Sequence, residues 1–411
     1  MKTLFTVVLT LLTLGTIQGQ NPVFDADRLS EINKWIEKDV KNGELQGAIV
    51  MISDKNNILY SFVGGTSDIE TKRKLQKNDF FKIASMTKVI TTVAILQLYE
   101  KGLFDLSDPI SKYLPEFKDV KVLRSEENKT DTLVNANSEV TIKQLLNQTA
   151  GYAYGGPKIS KRYKENNIRF FNPEGSNLEE FMQQFSKMPL TAQPGEKFTY
   201  GPSTDILGYL IEKLTNKDLE TYYKESIFEP LEMYSTGFNA HRSETIKLVK
   251  TYKIDKTGTL VLLNKAEDFD KNKTAKVYMG GSGLISTAED YLKFCQMLLN
   301  NGNYKNVNIV SRKSIELMTQ NQIQDLVYPK GYNRILGKGN TFGFGVNVVT
   351  EKGSMNELYS IGSYFWEGSY STSFIIDPKE GFTAIIMTQI GGLKSLDIRK
   401  KFRKFVYSAL K

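Results

Sequence analysis

The chain has 411 residues, with 54 Lys and Arg against 46 Asp and Glu, a net charge of +8, one His and one Cys. One cysteine excludes an internal disulfide and a multi-thiolate zinc site, and one histidine argues against a His-based metal centre, so no cofactor or metal is expected. Basic residues are dispersed among acidic ones, with no basic tract interleaved with aromatics; this fits a solvated lysine-rich surface and argues against a nucleic-acid partner.

Residues 1–19 read as an export signal. Lys2 supplies the positive start, Leu4 to Leu14 a short apolar run, and Ile17-Gln18-Gly19 the cleavage region, so the mature chain is expected to begin near Gln20. The run is too short to span a bilayer, and no later segment resembles a membrane span. No cysteine follows the signal, so no lipid anchor is expected there. The expected location is periplasmic or secreted. Sequons occur at Asn128, Asn147 and Asn272.

Phe24 to Val40 has helical periodicity, with Leu29, Ile32, Trp35 and Ile36 on one face. The runs Gly47–Ser53 and Ile58–Gly64 flank the turn-forming Asp54-Lys-Asn-Asn57 and predict a hairpin. A long apolar segment, Val89 to Leu98, then predicts a buried helix that stops near Gly102. From Asp105 to Phe238 the pattern is mainly helical between prolines, with candidates at Ile142–Asn147, Leu178–Ser186, Ser203–Thr215 and Leu219–Ile227. A second hairpin is expected within Ile246–Leu263, turning at Asp255-Lys-Thr-Gly258. Ala288–Asn300 reads as an amphipathic helix holding the lone Cys295 in the core. β runs follow at Phe342–Val349, Leu358–Ile361, Ser371–Asp377 and Phe382–Gln389, and a helix spans Ser395–Leu410.

A lone hairpin cannot bury a sheet face, so strands from the two chain ends must pair. The expected fold is therefore α+β, an α/β sandwich in which an antiparallel sheet is flanked by the terminal helices. The sheet part would comprise about residues 20–100 and 285–411, with a mainly helical part, about 101–284, inserted between them.

The chemistry centres on Ser85-Met-Thr-Lys88 at the start of the apolar helix. Residues three apart share a helical face, so the Lys88 amine can reach the Ser85 hydroxyl. A neutral serine needs a nearby base, and a buried lysine is one that requires no histidine. The helix start also directs backbone N–H groups toward developing negative charge. The spacing alone is weak, because Ser408-Ala-Leu-Lys411 repeats it. The one histidine, His241, lies in a polar loop-like stretch with no acidic partner placed by any motif.

An ordered series of segments strengthens the reading. Phe81-Lys-Ile-Ala-Ser-Met-Thr-Lys88, Leu106-Ser-Asp-Pro-Ile-Ser-Lys-Tyr-Leu-Pro-Glu-Phe117, Leu145-Leu-Asn-Gln-Thr-Ala-Gly151, Pro194-Gly-Glu-Lys-Phe-Thr-Tyr200, Gly280-Gly-Ser-Gly-Leu-Ile-Ser-Thr-Ala-Glu-Asp290 and Trp366-Glu-Gly-Ser369 resemble, in order, the serine beta-lactamase and penicillin-binding-protein superfamily. The closest likeness is to the class C beta-lactamase-related (family VIII) esterases. It runs over almost all of the mature chain. Gln148 stands where the family usually has histidine.

The resemblance implies that Ser85 is the nucleophile and that Lys88 and Tyr200 move its proton. It implies an oxyanion hole from the Ser85 and Ser369 N–H groups, with Gly368 letting substrate approach the backbone. Trp366 takes the place of the cation that binds a substrate carboxylate in beta-lactamases. The usual Tyr-x-Asn is absent: Pro202 holds its third place. Ser203 and Asp205 resemble the esterase-like variant, with Ser203 a candidate substrate contact that could equally cap the next helix.

The expected activity is hydrolysis of small carboxylic esters through an acyl-enzyme. The alternatives on the same machinery are a beta-lactamase, a D-amino-acid peptidase or amidase acting on a small amide, and an acyltransferase. A non-catalytic receptor built on the fold is opposed by the joint presence of Ser85, Lys88 and Tyr200.

Overall fold

A computed structural model describes residues 22–124, 131–170, 173, 175–239, 248–263, 275–324, 326, 333–392 and 395–411. The expected export signal, Asn128, Asn272 and His241 lie outside them.

The first helix, α1, covers Ala26–Lys41. Asp25 caps it by accepting from the Asp27 and Arg28 N–H groups at 3.0 and 3.2 Å. Strands β1 (Gly47–Ser53), β2 (Ile58–Asp68) and β3 (Arg73–Lys74) follow. Helix α2 (Thr87–Glu100) is apolar on every side and buried along almost its whole length, as an internal helix must be. Helices α3 (Ser203–Thr215) and α4 (Ala288–Leu299) come next. Strands β4 (Thr341–Phe342), β5 (Asn347–Val348), β6 (Tyr364–Glu367), β7 (Ser373–Asp377) and β8 (Phe382–Met387) precede the last helix, α5 (Ser395–Ser408).

These strands form one antiparallel sheet in the order β4-β5-β6-β7-β8-β1-β2-β3. The two chain ends meet where β1 pairs with β8, Val50 opposite Ile386. Side chains alternate between the faces. Ala48, Val50, Ile52, Phe365, Ile375 and Ile386 pack under α1 and α5, where Trp35 stacks on Phe405 at 5.5 Å. Ile49, Met51, Tyr364, Trp366, Phe374, Ile385 and Met387 face a larger core that includes α2, α3 and α4. Ile32 is fully buried, so Ile32→Ala would cost about 2–5 kcal/mol through the cavity it leaves. Cys295 is likewise buried in α4, and burial pushes its thiol up.

Some expected elements differ. Phe342–Val349 is a tight hairpin rather than one strand, because Gly345 turns the chain at φ +73°. Leu358–Ile361 is not a strand; Leu358 and Ile361 are exposed, and the strand begins at Tyr364. Lys121–Arg124 and Thr132–Asn135 pair as strands inside the expected helical stretch. The hairpin of Tyr252–Ile254 and Leu260–Leu262 turns at Asp255, whose carboxylate accepts from the Thr257 and Thr259 N–H groups. Among the described residues, no helix is long and apolar enough to cross a membrane.

Candidate active site

Ser85 lies in a 3-10 turn, Ala84–Met86, immediately before α2. Ala84 adopts φ +46°, a left-handed conformation that costs a non-glycine residue about 1–2 kcal/mol. Its surroundings hold it there. Ile83 N–H donates to the Leu284 carbonyl at 3.1 Å. The Tyr291 hydroxyl of α4 donates to the Met86 carbonyl at 3.0 Å. Ser85 itself is half-buried.

One turn on, Lys88 is fully buried. Its Nζ donates to the Gly281 carbonyl at 2.6 Å and the Tyr154 hydroxyl at 2.9 Å. It also lies 5.0 and 5.1 Å from the ring centroids of Tyr154 and Tyr200, within cation–π range.

Tyr200 occupies an irregular loop, as its flanking glycine and prolines imply. Gln148 fixes that loop: its backbone carbonyl accepts from Thr199 N–H at 2.7 Å and its side chain from Gly201 N–H at 2.9 Å. Gly201 is required, since a Cβ there would overlap the Tyr152 carbonyl. The neighbouring sequon residue Asn147 is buried and donates to the Gln322 carbonyl at 3.0 Å, which leaves no room for a glycan.

Two polar residues that the sequence motifs did not single out as site members complete the cluster. Tyr154 accepts from Lys88 and donates to Asp205 Oδ2 at 3.3 Å. Burial first, and then the Asp205 charge, push its phenol well above the usual range, so it stays protonated. Asp205, in α3, is fully buried and accepts from Gly281 N–H at 2.7 Å. Burial raises its carboxyl to about 6, although Lys88, the Gly281 N–H and Tyr154 pull it down. An aspartate directly ahead of the apolar run Ile206–Ile211 was the available signal. The Lys88 amine, the Tyr154 phenol and the Asp205 carboxylate are thus joined by hydrogen bonds, with the Tyr200 ring packed against the amine.

Trp366 packs on Tyr200 and Phe342 with ring centroids 5.4 and 5.1 Å apart. Within β6 only Tyr364 and Phe365 pair with β5, so Trp366 and Glu367 extend beyond it. Glu367 points to the opposite face. Its carboxylate pairs with Arg399 Nε at 3.1 Å and Arg403 Nη1 at 2.7 Å. Burial raises its pKa, but the two guanidiniums more than offset this and hold it below the usual value. Glu367 therefore leaves the pocket shape to Trp366.

Gly368 N–H donates across the turn to Thr372 at 2.8 Å. A Cβ here would overlap Thr372 Oγ1 and approach the Ile83 carbonyl to 2.5 Å, so glycine lets this turn lie against the chain just before Ser85. Ser369 is exposed.

The structure thus gathers Lys88, Tyr200 and Trp366 around the helix start that carries Ser85, with Gly368 beside it. Ser203 is different. It is the first residue of α3 after the cap position Pro202, fully buried, with no hydrogen-bond partner among the described residues. It neither caps the helix nor reaches a solvent-facing surface. The C-terminal Ser408 donates to Phe405 carbonyl and lacks such surroundings.

A buried amine one turn beyond a serine, on this sheet topology, defines a serine hydrolase of the beta-lactamase and penicillin-binding-protein fold. Residues 32–407 match the family model described as Beta-lactamase, and the chain belongs to that family. Protein Rv1367c of Mycobacterium tuberculosis (strain ATCC 25618 / H37Rv) is 29% identical over 358 residues, covering 84% of this chain and 86% of that protein. The N-acetylmuramyl-L-alanine amidase of Bacillus subtilis (strain 168) is 23% identical over 397 residues, covering 90% and 83%. Among solved structures, EstCE1, a hydrolase with promiscuous acyltransferase activity, superposes with TM-score 0.78 at 21% identity, covering 93% of this chain and 98% of that one.

Proposed function

We propose that the protein is an exported carboxylesterase acting through an acyl-enzyme. Ser85 Oγ attacks the ester carbonyl while Lys88 and Tyr200 take its proton and return it to the leaving alcohol. The Ser85 and Ser369 N–H groups receive the oxyanion; losing one such donor generally costs about 3–4 kcal/mol of transition-state stabilisation. Water, activated by the same pair, then hydrolyses the acyl-enzyme and releases the acid.

The observation that carries the ester reading is Trp366. The indole packs on Tyr200 where carboxylate-binding members of the superfamily present a cation. The two guanidiniums that reach this strand, Arg399 and Arg403, come from the other face and are engaged there, Arg399 by Gly368 and Glu367 and Arg403 by Glu367. An uncharged, aromatic wall suits an acyl or alcohol group without a carboxylate.

The test is a p-nitrophenyl ester chain-length series beside nitrocefin, on wild type and Ser85→Ala. Ester turnover that vanishes in Ser85→Ala, with slow nitrocefin hydrolysis, is the expected result. Rapid nitrocefin hydrolysis with negligible ester turnover would reverse it. The likeness to the Bacillus amidase supports a second reading, cleavage of an amide on the same machinery; muramyl-peptide substrates in the same assay decide between them. Adding an alcohol acceptor tests acyl transfer.

A further inference from the structure

The Gly368 carbonyl and the Ser369 N–H are two ends of one planar amide. Arg399 Nη1, from α5 on the far side of the sheet, donates to that carbonyl at 2.8 Å. Among the described residues the Ser369 N–H has no acceptor, and it lies at the exposed end of the same peptide unit. The guanidinium is itself held: Glu367 pairs with Arg399 Nε at 3.1 Å. Glu367 is in turn anchored by Arg403, whose Nη1 also donates to Ser373 Oγ at 3.0 Å and whose Nε donates to Tyr359 Oη at 2.9 Å. The Arg403 guanidinium also lies 4.3 Å from the Phe365 ring centroid.

From this geometry we infer that Arg399 is a positioning residue for the oxyanion hole, orienting and polarising the Gly368–Ser369 amide from the face opposite the substrate. A charged donor on the carbonyl end draws electron density through the amide and strengthens the N–H at the other end as a donor. It also opposes rotation of the peptide plane, which would turn the N–H away from the site. Glu367 holds the guanidinium at its Nε side, which leaves Nη1 directed at the Gly368 carbonyl. Donor strength on this amide matters most when negative charge develops on the substrate oxygen, so the effect falls on the transition state more than on substrate binding.

The inference rests on the acyl-enzyme reading above. The experiment compares wild type, Arg399→Met and Arg399→Lys on a p-nitrophenyl ester. It also measures affinity for phenylboronic acid, whose serine adduct is tetrahedral, and thermal midpoints to confirm folding. In Arg399→Met, kcat is expected to fall about tenfold with KM within about twofold, and boronate affinity to weaken about tenfold. Arg399→Lys, which keeps a cationic donor for the carbonyl, is expected to retain kcat within about threefold. Unchanged kcat in Arg399→Met, or a loss carried by KM with boronate affinity intact, overturns the inference. Should Arg399→Met fail to fold, Arg399→Lys decides: kcat down tenfold in a folded protein overturns it, and near-wild-type kcat with wild-type boronate affinity supports it. Ser85→Ala in parallel separates the two readings. No turnover there with full kcat in Arg399→Met removes only the Arg399 role, whereas turnover retained in Ser85→Ala removes both.

Discussion

Gln148 holds Tyr200 from both sides, its carbonyl on the Thr199 N–H and its side-chain oxygen on the Gly201 N–H. Its amide group also donates to Thr204 Oγ1 at 3.1 Å, tying the loop to α3. The residue is buried and sits at φ +60°. Gln148→Ala leaves the Gly201 N–H buried without a partner, which should cost about 1–3 kcal/mol. Displacing the phenol by an ångström should also lower kcat by up to about 100-fold. Urea unfolding and ester kinetics check both, and a variant with wild-type kcat would detach the loop from catalysis.

Asp205 makes the protein's stability depend on pH. Its folded value of about 6 exceeds the ordinary 3.8, so the native state binds more protons than the unfolded chain between those values. Stability from this group is therefore present at low pH and falls as pH rises from about 4 to 6, by on the order of 3 kcal/mol in full. Asp205→Asn should flatten that slope. Urea midpoints at pH 4, 5, 6 and 7 read it, and parallel curves for the two proteins would refute the assignment.

The same carboxylate should set an acid limb. If the ionised form balances Lys88 through Tyr154, wild-type kcat rises with a midpoint near pH 6. Asp205→Asn, which gives Tyr154 no carboxylate to donate to, should be slow at every pH and lack the limb.

Gly368→Ala tests the close approach of the β6–β7 turn to Ile83. The added methyl overlaps Thr372 Oγ1 and meets the Ile83 carbonyl, so the turn must shift. A stability loss of about 1–3 kcal/mol is expected, with kcat reduced more than the melting change accounts for. A fully active variant would show that the turn tolerates displacement.

Ala84→Gly separates strain from stability. Glycine adopts φ +46° freely, so the substitution should stabilise the fold by up to about 1 kcal/mol. Because that residue aims Ser85, the looser turn should lower kcat several-fold. Thermal melting and the ester assay on the same preparation measure the trade.

Much of the frame was legible because its signals are local. The periodicity of α1 and the unbroken apolar run of α2 mark helices before any contact is known. The union of the two chain ends followed from the inability of a hairpin to bury a face alone. What the sequence concealed depends on long-range packing. The hairpin Lys121–Arg124 with Thr132–Asn135 has little alternation, one strand being largely exposed. Tyr154 touches Lys88 directly and Asp205 is linked to it through Tyr154 and through the Gly281 backbone, and no spacing rule reports that. Ser203 shows the same limit: a serine before an apolar helix looks the same in sequence whether it caps the helix, faces substrate or is simply buried, and here it is buried without a partner among the described residues.

The pairing of Val50 with Ile386 has a temporal consequence. These partners are separated by most of the polypeptide, and the turn that abuts Ser85 is supplied by residues beyond 367. A growing chain therefore carries Ser85 long before it carries the strand, the turn or the arginine that come to pack beside it. Contacts of such sequence separation form late and slowly. Synthesis of α5 thus acts as a built-in delay: Ser85 cannot meet the finished turn at Gly368, with Arg399 on its carbonyl, until the last helix has been made and docked.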